Sequence, residues 1–220
     1  MYIKIIKPAI DVILSFLAII ALALPMAAIV IAVKLDDPGP AIFRQKRVGK
    51  NGRLFTLYKF RSMKMDTPTL PTHLLKDPEK FITRVGGFLR KTSLDELPQI
   101  YNIFTLRMSI IGPRPALPSQ TDLLAEREKY GANAFRPGLT GWAQINGRDE
   151  LEISEKARLD GEYAAKAGFL FDVKCFFGTI KSVLRRDGVK EGGPDSGSRG
   201  SGAADRSAAT AEDRSEKADE

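Results

Sequence analysis

The chain has 220 residues, with 34 Lys and Arg against 27 Asp and Glu, a formal charge of +7, one cysteine and one histidine. That length allows one compact domain plus additional segments, a lone Cys175 excludes an internal disulfide, and a lone His73 with no cysteine pair gives no basis for a zinc site. The last thirty residues carry eight acidic against four basic side chains, so the +7 of the whole chain becomes +11 over residues 1–190, a surface for an anionic partner such as lipid headgroups, nucleic acid or a phosphorylated substrate.

Val12 to Val33 contains no charged residue and meets the ~20-residue requirement for a membrane helix. The run exceeds the roughly 7–15 residues of a signal-peptide core, and Lys34-Leu35-Asp36-Asp37 follows it instead of a small-residue cleavage site. Lys4 and Lys7 precede it, while Lys34, Arg44, Lys46, Arg47, Lys50 and Arg53 follow. Positive flanks mark the cytoplasmic side, so both ends ask to be inside. A helix that enters and turns back at Pro25 satisfies both, because proline removes a donor and clashes with the preceding turn. Charge pattern alone leaves a spanning helix equally open. Asp11 is expected at the interface, paired with a nearby cation.

Asp36-Asp37-Pro38-Gly39-Pro40 is a turn cluster that starts the next domain. Ala41–Phe43 and Leu54–Phe60 read as two short strands joined by a basic loop, Arg44 to Arg53, either a solvated hairpin tip or an anion-binding loop beside the membrane. Met65 to Pro78 reads as a surface loop containing His73. Phe81 to Lys91 is predicted to be a basic helix delivering Arg90, and Leu97 to Met108 an apolar one.

Between them lies Thr92-Ser93-Leu94-Asp95-Glu96-Leu97-Pro98-Gln99. Ser93 and Glu96 stand at capping-box spacing, which explains them as a helix start. The chemical reading makes Asp95 and Glu96 the centre: carboxylates in a first helical turn stay ionised, and adjacent positions point about 100° apart, so one can act as nucleophile or metal ligand and the other as a base.

Further on, Arg114 stands between Pro113 and Pro115, either an exposed turn residue or a stiffly presented fork for phosphate. Arg136 to Arg148 is glycine-rich, permitting close backbone approach to a ligand, and Trp142 within it is placed to stack on a base or lie at a membrane interface. Asp122–Tyr130, Glu152–Ala165 and Phe169–Arg186 read as helices, the last with aromatics opposite cations, as suits an interfacial helix and nearly as well an ordinary core face. Cys175 is expected as a small buried hydrophobe. From Glu191 the chain lacks large apolar residues and is expected to be disordered.

Lys59-Phe60-Arg61-Ser62-Met63, Ser93 to Gln99, Met108 to Pro115 and Arg136 to Arg148, in this order behind the membrane segment, resemble the bacterial sugar transferases, specifically the small monotopic phosphoglycosyl transferases, over about Met1 to Gly188. The fold this implies is α/β, mostly helical with a short β-hairpin. Residues 1–35 would form a re-entrant membrane helix-break-helix, 36–190 a small membrane-associated catalytic domain with interfacial helices, and 191–220 a disordered tail.

The resemblance implies transfer of a phospho-sugar from a UDP-sugar to polyprenol (undecaprenyl) phosphate, with release of UMP, at the cytoplasmic face of the bacterial inner membrane. Asp95 would be the nucleophile and a Mg²⁺ ligand, Glu96 the group that prepares the polyprenol phosphate for the second attack, and Lys59, Arg90 and Arg114 the phosphate-binding cations. Arg136, Pro137, Gly138, Trp142 and Gln144 would belong to a substrate or nucleotide loop. Two departures stand out: Leu24 where many members have serine before the proline, and Tyr163-Ala164 where paired aromatics are common. The additional membrane bundle of larger relatives is expected to be lacking. Membrane lipids are expected partners and nucleic acid is not, since aromatics arranged for base stacking are not evident; a homodimer is left open, as are the sugar and the pathway. Competing readings are a membrane-tethered binding module without catalysis and a hydrolase of nucleotide-sugars.

Overall fold

The computed structural model describes residues 1–68, 77–147 and 151–185. His73, Arg148 and the tail from Glu191 lie outside them. Helices dominate, with two small two-stranded sheets.

A π-helical turn over Tyr2–Ile6 leads into α1 (Lys7–Ala21), and α2 (Ala23–Asp36) follows at a 62° bend. The break falls at Leu22, one turn before Pro25. That offset is what proline chemistry dictates, because the missing N–H of Pro25 would have bonded the carbonyl of Ala21. The helix resumes at once, with Met26 N donating to Leu22 O at 2.8 Å. Among the described residues no single helix is long and apolar enough to cross a membrane, and this bent pair meets the test only together. Ile13, Leu14, Phe16, Leu17, Ile20 and Leu24 are exposed, while Lys7, Asp11 and Ser15 face inward. The polarity is thus inverted relative to an ordinary surface helix.

Asp11 does not take the cation partner expected of it. Its Oδ1 accepts the amide of Ile110 at 3.0 Å, and Lys7 instead pairs with Asp172 at 2.6 Å. The distant Asp172 is the better partner because it also gathers two tyrosine hydroxyls, Tyr2 on one oxygen and Tyr163 on the other.

The hairpin consists of β1 (Ile42–Val48) and β2 (Leu54–Phe60), paired antiparallel from Ile42↔Phe60 to Val48↔Leu54. Most of the basic stretch expected as a loop is therefore strand, and only residues 49–53 form the tip. Pairing with the apolar β2 overrides the weak strand preference of Arg44, Gln45, Lys46 and Arg47.

Next come α3 (Arg84–Lys91), capped by Thr83 whose Oγ1 accepts Gly86 N at 2.9 Å, and the short α4 (Gln99–Phe104). Both are shorter than the sequence suggests; Phe81 ends a separate 3₁₀ turn, and Leu106 at φ 57 stops any continuation of α4. The remaining elements are β3 (Ser109–Ile111), α5 (Thr121–Lys129), β4 (Gly138–Thr140), α6 (Trp142–Ile145), α7 (Ile153–Lys166) and α8 (Phe169–Arg185).

Parallel β3–β4 has no counterpart in the sequence reading. It brings Gly112 against Gly138 and Gly141 so closely that a Cβ on either of the latter would fall inside Gly112's backbone atoms. These glycines serve close approach of the chain to itself. Cys175, as expected, is fully buried, beside Ile111 and Tyr163.

Candidate active site

The turn carrying the two carboxylates is held from behind. Leu94 and Leu97 pack against the cluster of Val33, Phe60 and Leu89. In a 3₁₀ turn residues three apart share a side, so the leucines go inward and Asp95 and Glu96 are left to point elsewhere. They point to Lys59 of β2, whose Nζ lies 2.8 Å from Glu96 Oε1 and 3.9 Å from Asp95 Oδ2. Strand alternation explains the lysine's direction, since its neighbour Phe60 is buried in the core on the opposite face.

The capping box is not formed. Ser93 sits at φ 57 in the left-handed region and its side chain makes no capping bond. Glu96 is engaged by cations instead: Lys59, and Arg114 whose Nη2 is 3.4 Å from the same Oε1. With Ser93 left-handed, the backbone turns too sharply for the extended N-cap geometry that a hydroxyl needs.

Arg114 is presented between buried Pro113 and Pro115. Arg90, in the last turn of α3, has its charge acting on Asp95 and its Nη1 buried without a hydrogen-bond partner. Burial raises the Asp95 carboxyl above the usual carboxylate range; Lys59 opposes this most strongly, Glu96 adds to it, and Arg90 and Arg114 pull it back.

Arg47 belongs to the same group, although the sequence placed it in a hairpin loop. Its Nη1 donates to Pro115 O at 3.1 Å, and Gln45 Oε1 accepts from its Nε at 3.1 Å and Nη2 at 2.7 Å. Burial first, then the nearby Arg114, lowers its pKa to about 10, against the pull of Glu96. Only the β1–β2 register places it there, a signal that the basic run conceals.

The glycine-rich segment divides. Pro137 O accepts Ser109 N at 2.8 Å, and Gly138 N donates to Pro113 O at 2.8 Å, so this part fixes the turn that presents Arg114. Arg136, half-buried, sits with its carbonyl against Gly112. Trp142 turns instead to α7 and α8: its Nε1 donates to Glu162 at 3.0 Å, its ring lies 5.0 Å from Phe171, and Lys174 stands 4.6 Å above it. Gln144 Nε2 donates to Leu139 O, while its Oε1 is buried without a partner.

Two carboxylates thus meet four cations, Lys59, Arg90, Arg114 and Arg47. A positive surplus with a buried, unpaired guanidinium nitrogen suits a multiply charged anion such as a diphosphate. Among the described residues there is no cluster of three or more His, Cys, Asp or Glu side chains. A hard divalent ion would therefore rest on this carboxylate pair and on oxygens brought by the ligand, as Mg²⁺ commonly does.

The profile described as bacterial sugar transferase matches residues 2–186. A UDP-glucose:undecaprenyl-phosphate glucose-1-phosphate transferase of Escherichia coli K12 is 40% identical over 191 residues, covering 80% of this chain and 40% of that protein. An undecaprenyl-phosphate galactose phosphotransferase of Salmonella typhimurium is 36% identical over 201 residues, 84% of this chain and 42% of the relative. An uncharacterized sugar transferase, EpsL, of Bacillus subtilis is 39% identical over 159 residues, 72% of this chain and 77% of the relative. The chain spans well under half the length of the first two of these relatives.

Proposed function

The chain belongs to the bacterial sugar transferase family, and on that premise we propose that it moves a sugar-1-phosphate from a UDP-sugar to polyprenol phosphate. The observation that carries this is the Asp95–Glu96 pair lying under a surplus of cations with Arg90 Nη1 unpaired. In the first displacement an Asp95 carboxylate oxygen attacks the phosphorus that bears the sugar, the bond to the bridging oxygen breaks, and UMP leaves with that oxygen. In the second, an oxygen of polyprenol phosphate attacks the same phosphorus and the Asp95 carboxylate is released. Glu96, held at Lys59 and Arg114, receives the acceptor phosphate's proton.

Lys59, Arg90 and Arg114 spread the charge that develops on the phosphoryl oxygens, and such prearranged donors are the main resource for this chemistry. Mg²⁺ fits the donor set, with Asp95 and Glu96 the residues to hold it. Bound there, it would supply further neutralisation of the diphosphate.

The bent helix pair, the outward apolar side chains of α1 and the positive residues on both flanks support a re-entrant anchor that keeps the domain on the cytoplasmic face. Lys4→Cys and Lys50→Cys, both at exposed positions, test it, and the buried Cys175 can stay in place. Both should be shielded from an impermeant thiol reagent in intact cells and labelled after lysis; labelling at position 4 alone would establish a spanning helix.

The catalytic reading is tested by incubating the full chain with a panel of UDP-sugars and scoring UMP release. Release should require polyprenol phosphate for turnover beyond one equivalent. Sustained release without it would make the protein a nucleotide-sugar hydrolase instead.

A further inference from the structure

The inward stripe of α1 is Lys7, Asp11 and Ser15, spaced one helical turn apart and buried. Lys7 pairs with Asp172 of α8, and Ser15 Oγ donates back to Asp11 O at 2.6 Å within its own helix. Of the three, only the Asp11 side chain reaches toward the candidate active site. An ionisable side chain in a segment whose outer faces are apolar is unfavourable, and where it turns into the protein it marks function more often than support.

What Asp11 holds is a strand edge. Successive amides of a strand point to opposite edges. In β3, Ser109 N donates to Pro137 O at 2.8 Å on the β4 side, so Ile110 N faces the other way, where this two-stranded sheet has no third strand. Asp11 Oδ1 takes the place of that strand at 3.0 Å. Its Oδ2, by contrast, is buried without a partner, so the side chain is fixed to the domain through Ile110.

Arg114 follows four residues after Ile110, and the backbone between them is held throughout. Tyr163 OH donates to Ile111 O at 3.2 Å, Gly112 N donates to Thr140 O at 2.9 Å, and Pro113 O accepts Gly138 N at 2.8 Å. Beyond the arginine, Arg47 Nη1 donates to Pro115 O at 3.1 Å and Val48 N to Ala116 O at 2.9 Å. The segment that presents Arg114 is thus clamped by the hairpin after it, and by β4 and Asp11 before it. Arg114 Nη2 stands 3.4 Å from Glu96 Oε1, near the limit for a hydrogen bond, so a small shift of the segment decides whether the contact exists.

We propose that Asp11 is a positioning residue for the transfer: through Ile110 and β3 it sets where the Arg114 guanidinium stands over Glu96. The N-terminal helix pair thereby belongs to the geometry of the active centre. The inference rests on the transferase reading and adds to it how that helix pair and the chemistry are joined.

The test uses the full chain in detergent micelles with polyprenol phosphate and the UDP-sugar that supports UMP release, and reads kcat, both KM values and thermal unfolding. Asp11→Asn keeps the length and the accepting oxygen and should keep kcat within about twofold. Asp11→Glu keeps the charge but is one methylene too long, and should lower kcat by about tenfold with little change in KM, since a displacement of about 1 Å is enough for such a loss. Asp11→Ala drops the hold without crowding and should lose as much, which keeps the test open if glutamate does not fit. In an Arg114→Ala background either substitution should cost no more than about twofold, because both act through one guanidinium. Lys7→Met, one turn earlier on the same face, loosens α1 without touching Ile110 and should lower stability alone.

Parental kcat in both Asp11→Glu and Asp11→Ala overturns the proposal, whatever their melting temperatures. A loss in Asp11→Asn equal to that in Asp11→Ala also overturns it, since charge and not length would then matter. So do losses that multiply with Arg114→Ala, an equal loss of kcat in Lys7→Met, or a raised KM for polyprenol phosphate at unchanged kcat, which would make Asp11 a seat for the helix only. No UMP release by the parent with any UDP-sugar would remove the transferase reading itself, whereas release indifferent to Asp11 removes the positioning role alone.

Discussion

Asp172 and Asp95 are both sheltered carboxylates among donors, yet their surroundings differ in kind. Asp172 Oδ2 accepts Lys7 Nζ and Tyr2 OH, each at 2.6 Å, and its Oδ1 accepts Tyr163 OH at 2.8 Å. Each of its oxygens is engaged and its single cation balances it. Asp95 has its nearest ion pair at 3.9 Å, shares four cations with one other carboxylate, and lies near an arginine nitrogen that nothing satisfies. A closed cluster of the first kind joins the N-terminal helix to α7 and α8 and stabilises the fold. An open one of the second kind is unfavourable by itself and becomes favourable when an anion arrives. The contrast predicts that substitutions in the two clusters will separate stability from activity.

The largest effect should come from Asp95→Asn. An amide neither attacks phosphorus nor holds a divalent ion, so UMP release and product formation should both fall to background while the melting temperature is kept or raised. Appreciable turnover by the folded variant would remove the nucleophile assignment. Lys7→Met acts on the other cluster: it leaves Asp172 buried without its cation and should cost roughly 3–5 kcal/mol of stability, read from thermal unfolding in detergent. Specific activity per folded molecule should change little. The reverse pattern, stable protein with lost activity, would move the Lys7 cluster into the functional machinery.

Arg114→Ala comes next, with turnover lower by on the order of 10²-fold, ~3 kcal/mol of transition-state stabilisation. Because Pro113 and Pro115 keep the turn in shape, stability should hold. If instead stability fell and specific activity stayed, Arg114 would be a turn residue only.

What the sequence made legible was local chemistry. Asp95, Glu96, Lys59, Arg90 and Arg114 stand in separate motifs, and the structure groups them; Pro25 announced the break in the first helix to within a turn. What stayed hidden depends on partners far along the chain. Arg47 looked like a loop cation because strand pairing with residues 54–60 has no local mark in a run of polar side chains. The β3–β4 pair joins Ser109 to Gly138, and no local mark in the sequence shows that Gly112 lies against Gly138 and Gly141. Lys7 and Asp172 are 165 residues apart, which explains why Asp11 was assigned the wrong kind of partner. Ser93 matched a capping pattern whose residues are right and whose backbone is not.

The smallest effect, and the most specific to Asp95, is a pH dependence in which activity and stability run in opposite directions. An unfolded aspartate titrates near ~3.9, and in the folded protein burial holds Asp95 above that despite Lys59. Between the two values the folded state keeps a proton that the unfolded state has lost. Asp95 therefore contributes stability that is fully present below the unfolded pKa and disappears as pH rises through the folded one. To act as a nucleophile, by contrast, Asp95 would have to be ionised, so the acid limb of kcat/KM should rise with pH across the same window and lie above the ordinary aspartate value. Melting the parent and Asp95→Asn side by side should show the parent falling behind the variant as pH rises through this window, the difference growing until it is constant once Asp95 has ionised. Parallel melting curves together with an acid limb at or below the ordinary aspartate value would show that the cations outweigh burial, and Asp95 would then stand permanently charged in the open cluster.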